Sequence, residues 1–316
     1  AEIVSLNFAR SLGRAVGRGA HLQAADGLVE ELRVIKDADE IKALERSFAL
    51  NHAMLRWLEE SQLQPGRSEA GLAWAIERYF RDNGASELAF PSIVAVDQNA
   101  ALPHAIPGEK KLPDNGLVLV DVGCRVDHYC SDQTRTFWVG DAPHKEFRET
   151  MKLVRDAQQA ALDKMRPGLP LHEAYALARG VFEKAGVEAW FTHGLGHGVG
   201  LETHEAPSLG RRGDKVLREG MVVTVEPGLY YPQWGGIRWE YGAHHGRRQP
   251  HPVGRPHVPD LSCGPAGLRQ DHAGQGPVRS AGRALLRYGP PSLPASGHGR
   301  GHHGGALGLG GLPQPR

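Results

Sequence analysis

The sequence is short of cysteine, of net charge and of long apolar runs. Its three cysteines, Cys124, Cys130 and Cys263, are odd in number and lack zinc-finger spacing. That speaks against a disulfide scaffold and fits a reduced, cytoplasmic protein. Lys and Arg total 37 against 36 Asp and Glu, a net charge of +1, so charge gives no reason to expect nucleic acid or an anionic membrane as partner. No apolar run is long enough for a transmembrane helix. No GxSxG elbow occurs and no cysteine lies in a nucleophile context, which argues against covalent serine or cysteine catalysis. Lys and Glu are both missing from 242–316.

What is present falls into three regions. Residues 1–35 form a lead-in without an initiator Met or a secretory apolar region. Its scattered arginines would suit a transit peptide; the preferred reading is a remnant of an N-terminal domain and its linker, trimmed from a larger chain. Residues 36–241 read as ordinary globular sequence. Residues 242–316 are rich in Gly, Pro, His and Arg and hold eight of the 17 histidines. Such a composition buries too little apolar area to offset the entropy of ordering. This aberrant tail is expected to be disordered, or to come from a gene read in a shifted frame after about Glu240.

The globular region repeats itself. A helical apolar period runs from Lys36 to Gln62 and ends at Pro65-Gly66; Ser68 then caps a second helix that runs to Gly84. The pattern returns from Lys145 to Met165, with Pro167-Gly168 and Gly186 each 102 residues after their counterparts. Each half continues into strands, LVLVDVG and MVVTVEPG. The expected fold is α+β: duplicated helix-helix-hairpin halves, with a curved antiparallel sheet covered by helices on one side.

The stretch VDVGCRVDHYCSDQTRTF places Asp121 and Asp132 on the expected buried part of the first hairpin, and the second supplies Glu226 and Glu240. Any one of them alone reads as a surface or ion-pair residue. Four in matched hairpin positions would converge on one point, where like charges need cations. Two divalent ions roughly 3.5–4 Å apart would neutralise them. HGLGHGVGLETHE adds His193, His197 and His204, and NAALPHA adds His104 in the first half. The glycines beside His197 resemble a phosphate loop, but position 199 is Val and no Lys-Ser/Thr follows, so the nucleotide fingerprints fail.

From about Leu32 to Glu240 the sequence resembles the pita-bread metallopeptidases of the prolidase and aminopeptidase P group. The motifs are VDVG, SDQTRTF, GLGHGVG, VEPG and GIRWE, in that order, and LRVIKDADEI looks like the group's linker. The resemblance implies five metal ligands, Asp121, Asp132, His197, Glu226 and Glu240. Asp121 would serve one metal, His197 and Glu226 the other, and Asp132 and Glu240 would bridge. It implies Mn(II), with Co(II) or Zn(II) as alternatives, and hydrolysis of Xaa-Pro peptide bonds by a metal-bridging hydroxide. Glu226 would pass a proton to the leaving nitrogen, His104, His193 and His204 would hold substrate and the tetrahedral intermediate, and Arg238 would support the site.

The expected partners are peptides with proline after the scissile bond, and a homodimer is compatible with the group. Tyr230, Tyr231 and Trp239 are candidates for the wall of a proline pocket. Tyr241 stands where the group has an acidic residue and a further strand, so the sheet edge bracing Glu240 is expected to be missing. The alternatives are a metal-free creatinase-like hydrolase, a methionine aminopeptidase, and an inactive or truncated pita-bread protein acting as a binding module.

Overall fold

Each helix begins where a side chain or a turn can satisfy its free backbone N–H groups. The computed structural model describes residues 5–16, 27–245 and 250–253. Ser5 caps α1 (Leu6–Ala15) by accepting from the Phe8 amide, and α2 (Leu28–Val34) leads toward the first long helix. Asp37 caps α3 (Ala38–Ser61) reciprocally with Glu40, and the Ser68 hydroxyl caps α4 (Glu69–Asp82). The strands β1 (Glu87–Leu88), β2 (Ile93–Val96), β3 (Gly116–Val122), β4 (Cys124–Val126), β5 (Tyr129–Cys130) and β6 (Gln133–Val139) follow. His144 caps α5 (Lys145–Leu162) through Nδ1, and α6 (Leu171–Lys184) starts at Pro170. The chain closes through β7 (Gly196–Gly198), β8 (Glu205–Leu209), β9 (Val222–Val225), β10 (Gly228–Tyr231), β11 (Gly235–Arg238), β12 (Tyr241–His245) and β13 (Pro250–Pro252). Among the described residues no helix is long and apolar enough to cross a membrane.

The two halves share their hydrogen bonding. The Gly66 amide donates to Leu112 O and the Gly168 amide to Leu217 O, both at 2.8 Å. Leu112 N donates back to Arg67 O, and Leu217 N to Leu169 O. Glu69 N donates to Lys110 O, as Leu171 N does to Lys215 O. Gly84 and Gly186 end the second helix of each half in the left-handed region, at φ +100° and +68°, where a side chain would be strained.

All paired strands run antiparallel. Hydrogen bonding divides the sheet into a β2-β3-β6 group and a β13-β12-β9-β7-β8 group, with β10-β11 and β1-β4-β5 as smaller sets. The strand β3 is buried along its whole length. Its alternate residues Val118, Val120 and Val122 pack with Met54, Leu58, Ile76 and Phe80 of α3 and α4. Leu117 and Leu119 belong to the other core, with Val154, Phe182, Val223 and Ile237. Period-two alternation carries Asp121 toward that second side. The core therefore delivers a carboxylate to the junction of the two halves.

The strand expected to be missing beside Glu240 is there. β12 pairs Tyr241 with Val225 and His244 with Val222, and β13 pairs with β12 on its outer edge. Ladder bonds use backbone groups and are indifferent to side chains; β12 has no proline, and Pro250 and Pro252 of β13 sit on the edge strand, where a missing N–H is tolerated. Gly242 fits because a Cβ there would collide with the Phe48 ring. The rest of the expected tail, 246–249 and 254–316, lies outside the described residues.

One side chain couples α5 to the segments of the second half that carry Glu226 and Glu240. Buried Gln158 donates from Nε2 to Val225 O at 2.7 Å and to Trp239 O at 3.0 Å. Replacing it with leucine leaves both carbonyls without that donor. Gln158→Leu is expected to cost about 1–3 kcal/mol, read as a lower urea midpoint at unchanged slope. An unchanged midpoint would show that the bridge carries no stability.

Candidate metal centre

Five side chains from both halves meet at the junction. Asp121 is the penultimate residue of β3, opposite Thr134 of β6, and Asp132 immediately precedes β6. His197 lies on β7 at a register shift against β8, which re-aims its side chain. Glu226 follows β9, and Glu240 lies between β11 and β12. Glycine at 196 and 198 is required here, because a Cβ would strike the carbonyls of Thr224 and Ala206.

Three overlapping sets of these groups hold their ligand atoms within 4.8 Å of one another: Asp121, Asp132 and Glu240; His197, Glu226 and Glu240; and Asp132, His197 and His204. Asp132, His197 and Glu240 are each shared between two sets. Asp132 is 4% exposed and Glu240 1%, whereas the Glu226 side chain keeps 17% open to the cavity.

Two threonines orient the glutamates in the same manner. Thr134 Oγ1 donates to Glu240 Oε2 at 2.7 Å and accepts from Arg238 Nε. Thr224 Oγ1 donates to Glu226 Oε1 at 3.2 Å and accepts from the His197 amide. Arg238 donates from Nη2 to Asp121 Oδ2 at 2.6 Å and from Nη1 to the Tyr230 hydroxyl and to Pro103 O.

The histidine tautomers follow from these contacts. His193 Nδ1 is 2.7 Å from Gly194 O and must donate, so Nε2 accepts from the Tyr230 hydroxyl at 2.8 Å. His197 Nδ1 faces Gly198 O at 3.0 Å, so its proton is there and the Nε2 lone pair faces the site. Burial holds both imidazoles down to about 4. Burial, with neighbouring carboxylates adding to it, raises Asp132 and Glu240 well above the usual carboxylate range, and burial pushes Glu226 to about 7.

These residues fit divalent metal. The His197 Nε2 lone pair faces Glu226 Oε1 at 3.4 Å and Asp132 Oδ2 at 3.5 Å, acceptor against acceptor unless a cation or a carboxyl proton lies between them. Asp121 Oδ1 and Glu240 Oε1 are buried without a hydrogen-bond partner. Orphaned acceptors of this kind are costly and require a cation or bound protons. Oxygen-rich donors with one imidazole suit a hard or borderline divalent ion.

Above the cluster lies a cavity of about 670 Å³. His104, His193, His204 and Arg238 line it together with Asp121, Asp132, His197 and Glu226. The expected aromatic wall is different. Tyr230, Tyr231 and Trp239 do not line the cavity; Phe90, Pro91, Ile93, Pro103, Ile106 and Pro107 do. Trp239 and Tyr241 flank Glu240, and their rings take the Arg135 guanidinium at 4.5 and 4.2 Å. Tyr231 stacks on Trp234, and Tyr230 is engaged by His193 and Arg238. Sequence reasoning passed over Thr134, Thr224 and Arg135. The sequence TRTF held two of them in view, but only the fold shows what they touch.

Residues 42–242 match metallopeptidase family M24. The chain belongs to that family. It is 38% identical over 216 residues to an Xaa-Pro dipeptidase of Pyrococcus furiosus, an alignment covering 68% of this chain and 61% of the relative. The chain thus spans about three fifths of the length of the curated relatives it matches. Among solved structures, an Xaa-Pro dipeptidase from Bacillus anthracis superposes with a TM-score of 0.77 at 35% identity, over 81% of this chain and 71% of that one. An X-Pro aminopeptidase from Thermotoga maritima gives 0.75 at 31% identity, over 82% and 72%. The fold is the pita-bread architecture of prolidases and aminopeptidase P.

Two outcomes test the centre. Outer-shell changes alone cost roughly 10–100-fold in metal affinity or activity, so Asp132→Asn, which alters a candidate ligand shared by two sets, is expected to lose more and to retain fewer metal equivalents by elemental analysis. Retention of two equivalents with full turnover would refute the assignment. Ligation also requires Glu226 to give up its proton, so divalent affinity is expected to rise with pH through about 7 and to fall below it. Calorimetric titration in buffers of different ionisation enthalpy should show proton release. Constant affinity between about pH 8 and about pH 5 would contradict it.

Proposed function

We propose that this chain hydrolyses Xaa-Pro peptide bonds using two divalent metal ions, with Mn(II) the preferred ion and Co(II) or Zn(II) able to replace it. Asp121, Asp132, His197, Glu226 and Glu240 are the proposed ligands, with Asp132 and Glu240 bridging. The observation that carries the reading is the His197 lone pair facing carboxylate oxygens beside two orphaned buried acceptors, at the floor of a cavity. The P. furiosus and B. anthracis relatives named Xaa-Pro dipeptidase support the choice of substrate. When bound, the ions lower the pKa of water toward neutrality and polarise the scissile carbonyl.

The chain's own residues do the rest. His104 and His204 line the cavity and make no hydrogen bond among the described residues, so both are available to a substrate. His193 has both ring nitrogens engaged, through Gly194 and Tyr230, and is held in one orientation. Arg238 fixes Asp121 and, through Thr134, Glu240. Glu226 moves a proton toward the leaving proline nitrogen. An Xaa-Pro bond is a tertiary amide with no N–H to offer a carbonyl acceptor. The apolar wall of Phe90, Pro91, Ile93 and Pro107 suits a pyrrolidine ring better than backbone pairing would. The described cysteines, Cys124 and Cys130, are buried free thiols, which suits a reducing, cytoplasmic setting.

Met-Pro, Ala-Pro and Met-Ala assayed in parallel with added Mn(II) decide the specificity. Release from the two proline substrates is expected, with Met-Ala poor. Faster release of Met from Met-Ala than from Met-Pro would move the chain to the methionine aminopeptidase branch. Binding of both metals with no cleavage of any peptide would favour the binding-module alternative.

A further inference from the structure

We propose that Glu69, outside the metal centre, is the positioning residue for the cavity wall that carries His104. Glu69 lies in the first turn of α4 and is 1% exposed. Its Oε1 accepts from the Val96 amide at 2.7 Å and from Asn99 Nδ2 at 2.9 Å. Its Oε2 accepts from the Gly108 amide at 3.0 Å. Val96 and Gly108 bracket the segment 97–107, and Pro103, His104, Ala105, Ile106 and Pro107 of that segment line the cavity. The segment has little apolar anchoring at its tip, with Leu102 62% and Ile106 89% exposed. Ala100 and Ala105 are buried in the core, and polar anchors hold the rest. Glu69 clasps its two ends, and Arg238 holds its middle through Pro103 O.

The duplication shows that the helix itself does not need this carboxylate. Leu171 occupies the matching place in the second half: its amide donates to Lys215 O as that of Glu69 donates to Lys110 O. Leu171 is buried in the apolar core. A carboxylate sealed among neutral donors is costlier to bury than leucine.

The activity arm of the test rests on the proposed function; the exchange arm does not. In the metal-loaded full chain, Glu69→Gln preserves shape and the Oε1 contacts but sets an NH2 group against the Gly108 N–H. Faster amide exchange confined to 97–108 is expected, with metal content unchanged. For an Xaa-Pro substrate, kcat/KM is expected to fall about tenfold to a hundredfold, carried by KM. Glu69→Leu, which copies the second half, should go further in the same direction. A lower Tm or active fraction with unchanged KM and unchanged exchange in 97–108 would overturn the proposal and leave Glu69 a purely structural residue. Should neither variant fold, Asn99→Ala removes one donor and leaves the carboxylate in place. A smaller KM rise with local exchange then supports the assignment, and neither change overturns it. If the unaltered chain cleaves no peptide, the functional reading fails, and exchange in 97–108 alone decides the role of Glu69.

Discussion

Everything at the junction follows from placing Asp121, Asp132, Glu226 and Glu240 beside one another away from bulk water. Like charges so close cannot all stay ionised without compensation. Arg238 supplies one positive charge, at Asp121. The remaining oxygens are held by threonine hydroxyls or left bare. A fold stabilised by its own interactions alone would be better served by apolar residues of similar volume. The cluster is intelligible as a receptor for positive charge, and the sheet, the glycines at 196 and 198 and the Arg238 network are the means of holding it open.

The helices were legible because their signals are local. Pro-Gly pairs, Ser68 and the Asp37–Glu40 pair act within one turn, so the sequence marks their ends within a few residues. The proposed ligands could be picked out because they sit in short motifs. The cavity wall was not, because its members come from several segments that share no period. Trp239 misled for a specific reason. When Glu240 faces the metal site, its sequence neighbours turn away from it, and there Arg135 receives the rings of Trp239 and Tyr241. The β12 strand was missed for the opposite reason: composition describes side chains, whereas its pairing with β9 is made by backbone.

The repeat is informative where it is broken. Equivalent hydrogen bonds tie Gly66 to Leu112 and Gly168 to Leu217, so both halves obey one plan. Against that plan, glutamate at 69 and leucine at 171 stand out as a difference between otherwise matched positions. The same comparison separates Asp121 and Asp132 from Glu226 and Glu240: the shorter acids come from the first half and the longer from the second, so the two halves reach the shared centre with unequal side chains.

The contacts that close this centre are among the most distant along the chain: Thr134 meets Glu240 across 106 residues, and Arg238 meets Asp121 across 117. Loops of that size are slow to close, so the centre completes late in folding. During synthesis, which proceeds at about 5–20 residues per second, the two aspartates emerge well before the two glutamates. For that interval the nascent chain carries half of the proposed ligands, with neither the geometry nor the enclosure to choose among metal ions. With the proposed ligand set, discrimination among ions would therefore be a property of the closed chain.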